Sequence, residues 1–109
     1  MTRPIKFRAW DKKTQNMVYI FPNADAINSP IFGWMQFTGL LDKLGKEIYE
    51  GDIIKLEQWV PTTYEVLFDR GGFCFRVPGR KVNDFYNDCK YLEDSEVIGN
   101  IWENGELIK

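Results

Sequence analysis

The sequence predicts a mainly β domain, or an α+β domain with minimal helix, in which a small barrel-like or strongly bent antiparallel sheet begins with a β-hairpin. Aromatic residues make up 16% of the 109 residues, and large rings suit the pleated surface of strands. Alanine, the best helix former, occurs only three times. Strand-like segments recur at a spacing of about ten residues, which is typical of barrels and bent sheets.

Alternation of apolar and polar residues, interrupted by turn residues, divides the chain into six to eight short strands. The predicted elements, in order, are a hairpin over residues 4–21, a loop over 22–30, a strand over 31–41, a turn over 42–46, a strand over 47–56, a hairpin with strands at 64–68 and 73–77, and a strand over 96–102.

Glycines mark the places where these strands bend or break. Gly33 and Gly39 interrupt the apolar segment 31–41, which therefore predicts a strand that bends. Gly45 can take a positive φ in the turn that follows. Gly51 breaks the next strand, and the carboxylate of Asp52 can then accept backbone N–H groups at the entry to its second half.

Two segments are less regular than the rest. Residues 82–92 have apolar side chains at helical spacing, and Asn83 can cap a helix, so one or two helical turns are predicted there. Near the C-terminus, the Gly99-Asn100 pair predicts a bulge within the last strand.

Length and charge exclude several classes of protein. A chain of 109 residues fits a single domain over 1–109. A net charge of −2 gives no whole-domain basic footprint for nucleic acid. The chain contains neither the apolar core of a signal peptide nor the ~20 apolar residues of a membrane span, so no membrane association is expected. The two cysteines, Cys74 and Cys89, fit a reduced cytosolic protein.

Three sequence blocks carry a resemblance to a known family. They are IKFRAWD at residues 5–11, then QFTGL at 36–40 followed by DK at 42–43 and GKEIYEGDII at 45–54, and VIGNIWEN at 97–104. In this order they resemble the YopX family of phage and prophage proteins. The resemblance implies a mainly β fold and a phage or prophage source, and hence the cytoplasm of a bacterial host. It implies no activity, because the function of the family is unknown. Residues 57–92 match no motif of the family.

The residues needed for most catalytic sites are absent from the sequence. It contains no histidine, which excludes catalytic triads that need histidine and metal sites that have histidine ligands. No phosphate-binding loop or dinucleotide fingerprint is present, so no cofactor, metal or small-molecule ligand is expected. The carboxylates of Glu47, Glu50 and Asp52 leave a metal-dependent nuclease as a remote alternative. We therefore expect a protein that is not an enzyme.

A basic segment near the N-terminus is the tentative binding surface. Lys6, Arg8 and Trp10 are expected to share one strand face, with Lys12 and Lys13 at the turn. Cationic side chains interleaved with an aromatic ring can follow a phosphate backbone and stack on a base. The alternative interpretation is an edge hairpin whose charges discourage the addition of further strands.

The leading functional hypothesis is a phage or prophage accessory protein that acts by binding. The aromatic surplus favours another protein, or further copies of this chain, as the partner. A nucleic-acid-binding module that uses the basic hairpin is the alternative.

Overall fold

The computed structural model describes residues 5–58, 62–69, 72–77, 85–86 and 89–104. Strands dominate these residues, which confirms the mainly β prediction. The elements are β1 (Phe7–Asp11), β2 (Asn16–Val18), α1 (Ala24–Ile27), β3 (Phe32–Leu41), β4 (Glu47–Tyr49), β5 (Asp52–Lys55), β6 (Thr63–Asp69), β7 (Gly72–Arg76), β8 (Phe85–Tyr86), a 3-10 helix (Cys89–Asp94) and β9 (Glu96–Asn100). No helix in the described ranges is long and apolar enough to cross a membrane.

The strands form two antiparallel sheets. Four strands make the first sheet in the order β2-β1-β3-β4, and five make the second in the order β8-β7-β6-β5-β9. The chain passes from one sheet to the other between β4 and β5, at Gly51, whose φ is +83°. The N–H of Gly51 donates to the carbonyl of Val66, and its own carbonyl accepts from the N–H of Ile101. The predicted break at this glycine is confirmed, and its backbone groups bond to β6 and to the turn that follows β9.

The predicted N-terminal hairpin is confirmed, with shorter strands than expected. Ala9 lies opposite Val18, and Asp11 lies opposite Asn16. The Asp11 carboxylate accepts the N–H groups of Lys13 and Thr14, which closes the turn. The hydrogen bond from Thr14 holds the pKa of Asp11 below its ordinary value.

Both sheets bend where the sequence predicts bends. The register between β3 and β4 shifts between Phe37 and Leu41, and Gly39 lies in that interval with a φ of +89°. In the second sheet, Ile53 pairs with Gly99 while Ile54 pairs with Val97, so one extra residue of β9 forms a bulge. Such bulges increase twist and let short strands curl around a core.

The predicted helical turns over residues 82–92 are only partly correct. Phe85–Tyr86 is instead a short strand that pairs with β7 and extends the second sheet. The helical turn lies further along, as the 3-10 helix Cys89–Asp94. The proposed cap, Asn83, lies outside the described residues. A second difference is α1, one turn of helix within the predicted loop over residues 22–30.

The hydrophobic core lies mainly within the curled second sheet. The Tyr64 and Phe75 rings meet edge to face there, with centroids 5.5 Å apart, and both side chains are fully buried. Ile48 of the first sheet joins the same cluster, so the two sheets share one core. The buried members of the cluster are Ile48, Ile54, Leu56, Tyr64, Val66, Phe75, Leu92 and Val97.

The turn after β9 packs on the first sheet through Trp102. A Cβ atom added at Gly33 of β3 would lie 2.3 Å from the nearest carbon of the Trp102 ring. Real Cβ atoms do not approach other atoms so closely, so the indole occupies the space that any larger residue at position 33 needs. Gly33 therefore permits the contact between β3 and the C-terminal turn.

We expect Gly33→Ala to destabilise the fold by about 1–3 kcal/mol, because the indole must move away from a position fixed by packing. The free energy of unfolding in urea measures the effect. Gly72→Ala is the matched control, since no atom lies within 4 Å of a Cβ added there. Equal stabilities of the two variants would show that the Trp102 contact does not constrain position 33.

Candidate functional site

A buried ion pair joins the first strand to the second sheet. A terminal nitrogen of Arg8 in β1 donates to Oδ1 of Asp52 in β5 over 2.6 Å, and both side chains are almost completely buried. The same nitrogen lies 3.3 Å from the carbonyl oxygen of Glu50. The guanidinium also stacks over the Tyr49 ring, 4.6 Å from its centroid. Arg8 thus contacts Tyr49, Glu50 and Asp52, the residues on either side of Gly51 where the chain passes between the sheets.

Asp52 performs the structural role that the sequence predicts for it. Its second carboxylate oxygen accepts the N–H of Tyr49 over 2.7 Å, so the side chain closes the turn around Gly51. Burial raises the pKa of Asp52, although Arg8 and the Tyr49 N–H both favour the ionised carboxylate. Burial also raises the pKa of Tyr49 to about 12, and the neighbouring Glu47 carboxylate adds to that effect.

The five residues of the tentative basic surface do not form one surface. Arg8 and Trp10 are buried, at 4% and 6% exposure, because β1 is covered on both of its faces. These two side chains are therefore not available to a ligand, as the expected binding surface required. Lys6 pairs with Glu47, and Lys12 donates to the carbonyl of Pro30. Lys13 is exposed at the hairpin turn.

The carboxylates that the sequence groups together have separate partners in the fold. Glu47 bonds to Lys6, while Glu50 accepts the N–H of Gln36 and has a pKa raised by burial. Asp52 is bound by Arg8. Within the described ranges, no three Cys, Asp or Glu side chains come together as metal ligands would. Cys74 is a free, buried thiol.

A second buried carboxylate holds the edge of the other sheet. Oδ1 of Asp42 accepts the N–H groups of Leu44 and Lys46, and its Oδ2 accepts the N–H of Val97 in the edge strand β9. Burial alone would raise the pKa of Asp42, but these backbone donors outweigh it and hold the pKa below its ordinary value. The carboxylate thereby links the turn around Gly45 to β9.

An apolar groove opens beside the N-terminal end of β1. Its volume is about 440 Å³. Four of its large apolar side chains face solvent: Ile5 is 63% exposed, Tyr19 65%, Ile20 41% and Phe21 70%. We call it the β1 groove, and its lining residues are Ile5, Lys6, Phe7, Tyr19, Ile20, Phe21, Glu47 and Tyr49.

Aromatic contacts give the β1 groove a defined shape. The Phe7 and Phe21 rings meet edge to face with centroids 5.7 Å apart, and Tyr19 contacts Tyr49 in the same way at 5.9 Å. The ion pair between Lys6 and Glu47 lies among the lining residues. The groove is therefore an apolar surface that carries one cation and one anion.

Sequence reasoning assigned residues 19–21 to the return strand of the hairpin and did not identify the groove. A signal was present, because three consecutive large apolar residues cannot all lie on the buried face of an alternating strand. In the structure, β2 ends at Val18, and the following side chains remain exposed.

A smaller polar cavity of about 280 Å³ lies beside the ion pair of Arg8 and Asp52. Its side chains bond mainly to one another. The Asn100 amide donates to Glu103, and the Asn104 side chain accepts from the Asn100 N–H. These three residues are bonded to one another, although Nε of the buried Arg8, which also lines the cavity, has no hydrogen-bond partner among the described residues. The β1 groove, with four exposed large apolar side chains, is the stronger candidate for a binding site.

We expect removal of one member of the buried ion pair to be costly. Asp52→Leu should lower the free energy of unfolding by about 3–5 kcal/mol, because the positive charge of Arg8 is then buried without an opposite charge beside it. The double variant Arg8→Met with Asp52→Leu should recover part of that loss, with a coupling energy of about 1–3 kcal/mol.

The matched control for this cycle is the exposed pair of Lys6 and Glu47. Lys6→Met combined with Glu47→Leu should give a coupling energy below about 1 kcal/mol, because solvent screens the charges of this pair. Urea unfolding measures both cycles. Equal coupling in the two cycles would contradict a special role for the buried pair.

We expect Asp42→Asn to destabilise the protein near neutral pH and to have little effect in acid. The folded pKa of Asp42 lies below the ordinary value of 3.8, so its stabilisation is present above that pH and is lost as the pH falls through the folded pKa. An asparagine presents a donor in place of one acceptor and loses about 1–3 kcal/mol at pH 7.

Urea unfolding over a series of decreasing pH values from pH 7 tests this dependence, with the exposed Glu93→Gln as the control. A loss that stays the same as the pH falls would show that the ionised form of Asp42 contributes nothing.

Comparison with known proteins identifies a family, and solved structures with a similar fold exist. The family described as YopX protein matches residues 23–109. The crystal structure of protein EF1440 from Enterococcus faecalis is similar to this chain, with 26% identity and a TM-score of 0.73 over 99% of this chain and 100% of that one. No curated protein matches the sequence. The family match begins after β2, whereas the structural match also includes the N-terminal hairpin.

Proposed function

The chain belongs to the YopX family, and from that premise we propose that it is a non-enzymatic phage or prophage accessory protein that binds another protein through the β1 groove. A bacterial host cytoplasm is the compartment that this role requires. The observation that carries the proposal is the exposure of four large apolar side chains around one cleft of about 440 Å³. Contiguous apolar surface of this kind marks interaction sites on soluble proteins.

The composition of the groove supports a protein as its occupant. Tyrosine and phenylalanine are enriched at the centres of protein interfaces, where their rings fill pockets on the partner. Phe21 is 70% exposed and is held against Phe7, so it can bury a large area with little loss of side-chain freedom. The pair of Lys6 and Glu47 adds polar groups to the apolar lining, an arrangement typical of interfaces.

The nucleic-acid alternative has less support from the arrangement of the side chains. Lys6, Lys12 and Lys13 remain exposed. However, Lys6 pairs with Glu47, and Nζ of Lys12 lies over the Trp102 ring, 5.5 Å from its centroid. The stacking residue of that hypothesis, Trp10, is buried. A salt-dependent affinity for single strands that is lost on Lys12→Ala with Lys13→Ala would favour this alternative.

We expect Phe21→Ser to weaken the binding of a protein partner about tenfold, because the variant loses one aromatic anchor. The experiment uses the tagged whole chain in lysates of bacteria that carry the phage or prophage. Captured proteins are then titrated against the purified variants, and sedimentation of the chain alone tests association between copies.

Leu44→Ser is the matched control, because Leu44 is 71% exposed and lies away from the groove. It should bind as the unchanged chain does. A partner that is lost equally with both substitutions, or retained with both, would contradict binding through the β1 groove.

A further inference from the structure

We infer that the β1 groove binds its partner by strand addition, in which an extended segment of another protein pairs with the free edge of β1 at Phe7. The inference rests on the proposed function and specifies how the groove recognises its partner. It follows from the direction of the backbone groups of β1, from the point where β2 ends, and from the way two other edge strands are capped.

The backbone of β1 directs alternate residues toward opposite neighbours. The carbonyl of Lys6 accepts the N–H of Phe37 over 2.9 Å, and the N–H of Lys12 donates to the carbonyl of Ile31 over 3.0 Å. Even-numbered residues therefore bond toward β3 at both ends of the strand. Because consecutive residues of a strand point their N–H and C=O groups to opposite edges, those of Phe7 point away from β3.

The edge to which Phe7 points is not paired by the hairpin. The register of β1 and β2 ends at the pair of Ala9 and Val18. Continued by two residues, that register would place Ile20 opposite Phe7, but residues 19–21 are not part of a strand. No backbone hydrogen bond joins Phe7 to Ile20 in this part of the described chain. The N–H and C=O of Phe7 thus face the β1 groove.

Two other edge strands are closed by buried carboxylates. In β4, the N–H of Tyr49 donates to Asp52, and in β9 the N–H of Val97 donates to Asp42. Natural proteins cover or cap sheet edges because open edges accept strands from other chains. Beside the Phe7 edge, the side chains of Ile5, Ile20 and Phe21 are instead exposed and apolar, which favours an added strand.

The occupant that fits this edge is an extended segment with apolar side chains at alternate positions. Its backbone supplies both an acceptor for the Phe7 N–H and a donor for the Phe7 carbonyl. Its apolar side chains then pack on Ile5, Ile20 and Phe21. A helix cannot replace it, because the N–H and C=O groups of a helix are already bonded along its own axis.

The test uses the ¹⁵N-labelled whole chain and two synthetic probes. One probe is the capped extended peptide Lys-Thr-Val-Thr-Val-Thr-Lys, and the other is a helix-stapled peptide with the same number of valines. Addition of the extended peptide should slow hydrogen exchange of the Phe7 amide by about tenfold or more at saturation. The helical peptide should leave this exchange rate unchanged.

Two variants separate main-chain pairing from contact with the ring. Phe7→Ala removes the ring and keeps the N–H, whereas Phe7→Pro also removes the N–H, which bonds neither to β3 nor to β2. Affinity is read from the shift of the Ile20 amide, and thermal unfolding checks that each variant folds. The alanine variant should bind the extended peptide weakly, and the proline variant at least about tenfold more weakly again.

Equal affinity of the two variants for the extended peptide, or protection of the Phe7 amide by the helical peptide, would overturn strand addition while binding through the groove stands. If protection of the Phe7 amide grows with the concentration of this chain in the absence of peptide, the occupant is a second copy of the chain, which contradicts a segment of another protein. If neither peptide binds and Phe21→Ser changes no captured partner, the proposed function fails as well.

Discussion

The buried ion pair of Arg8 and Asp52 is the constraint on which the rest of the structure depends. It joins β1, near the start of the chain, to β5 at the entry of the second sheet, 44 residues later. Taking two charges out of water is costly, so the pair is stable only where further contacts compensate. Tyr49 supplies one of them through its N–H on Asp52 and another through its ring under Arg8.

The same use of carboxylates explains which surfaces of the protein remain open. Asp52 and Asp42 each accept one outward-facing backbone N–H, that of Tyr49 in β4 and that of Val97 in β9, so these N–H groups cannot pair with an added strand. The hairpin ends pairing at Val18 and leaves the neighbouring edge of β1 beside exposed aromatic side chains. Among the described residues, β4 and β9 are capped in this way, whereas the edge of β1 at Phe7 lies open within the β1 groove, where a partner strand can pair.

Local features of the fold could be predicted from the sequence, and distant pairings could not. Gly51 and Asp52 are adjacent, so their turn follows from positive φ and a nearby acceptor. Alternation placed Arg8 on the same strand face as Lys6 and Trp10, but a two-face pattern cannot show that β1 is covered on both sides and that Arg8 is buried. The apolar run at residues 19–21 signalled some exposure, but the groove itself depends on where β2 stops pairing, which the turn residues do not show. Residues 85–86 joined a sheet despite helical spacing, because tertiary pairing with β7 overrides local periodicity.

Residue-resolved hydrogen exchange under native conditions tests the coupling of the two sheets most directly. If the pair of Arg8 and Asp52 joins them into one cooperative unit, the amides of β3 and β6 should exchange with the same opening free energy in the unchanged chain. In the Asp52→Leu variant, the amides of β3 should exchange with a lower opening free energy than the amides of β6. Different opening free energies for the two sheets in the unchanged chain, unaffected by Asp52→Leu, would contradict this account.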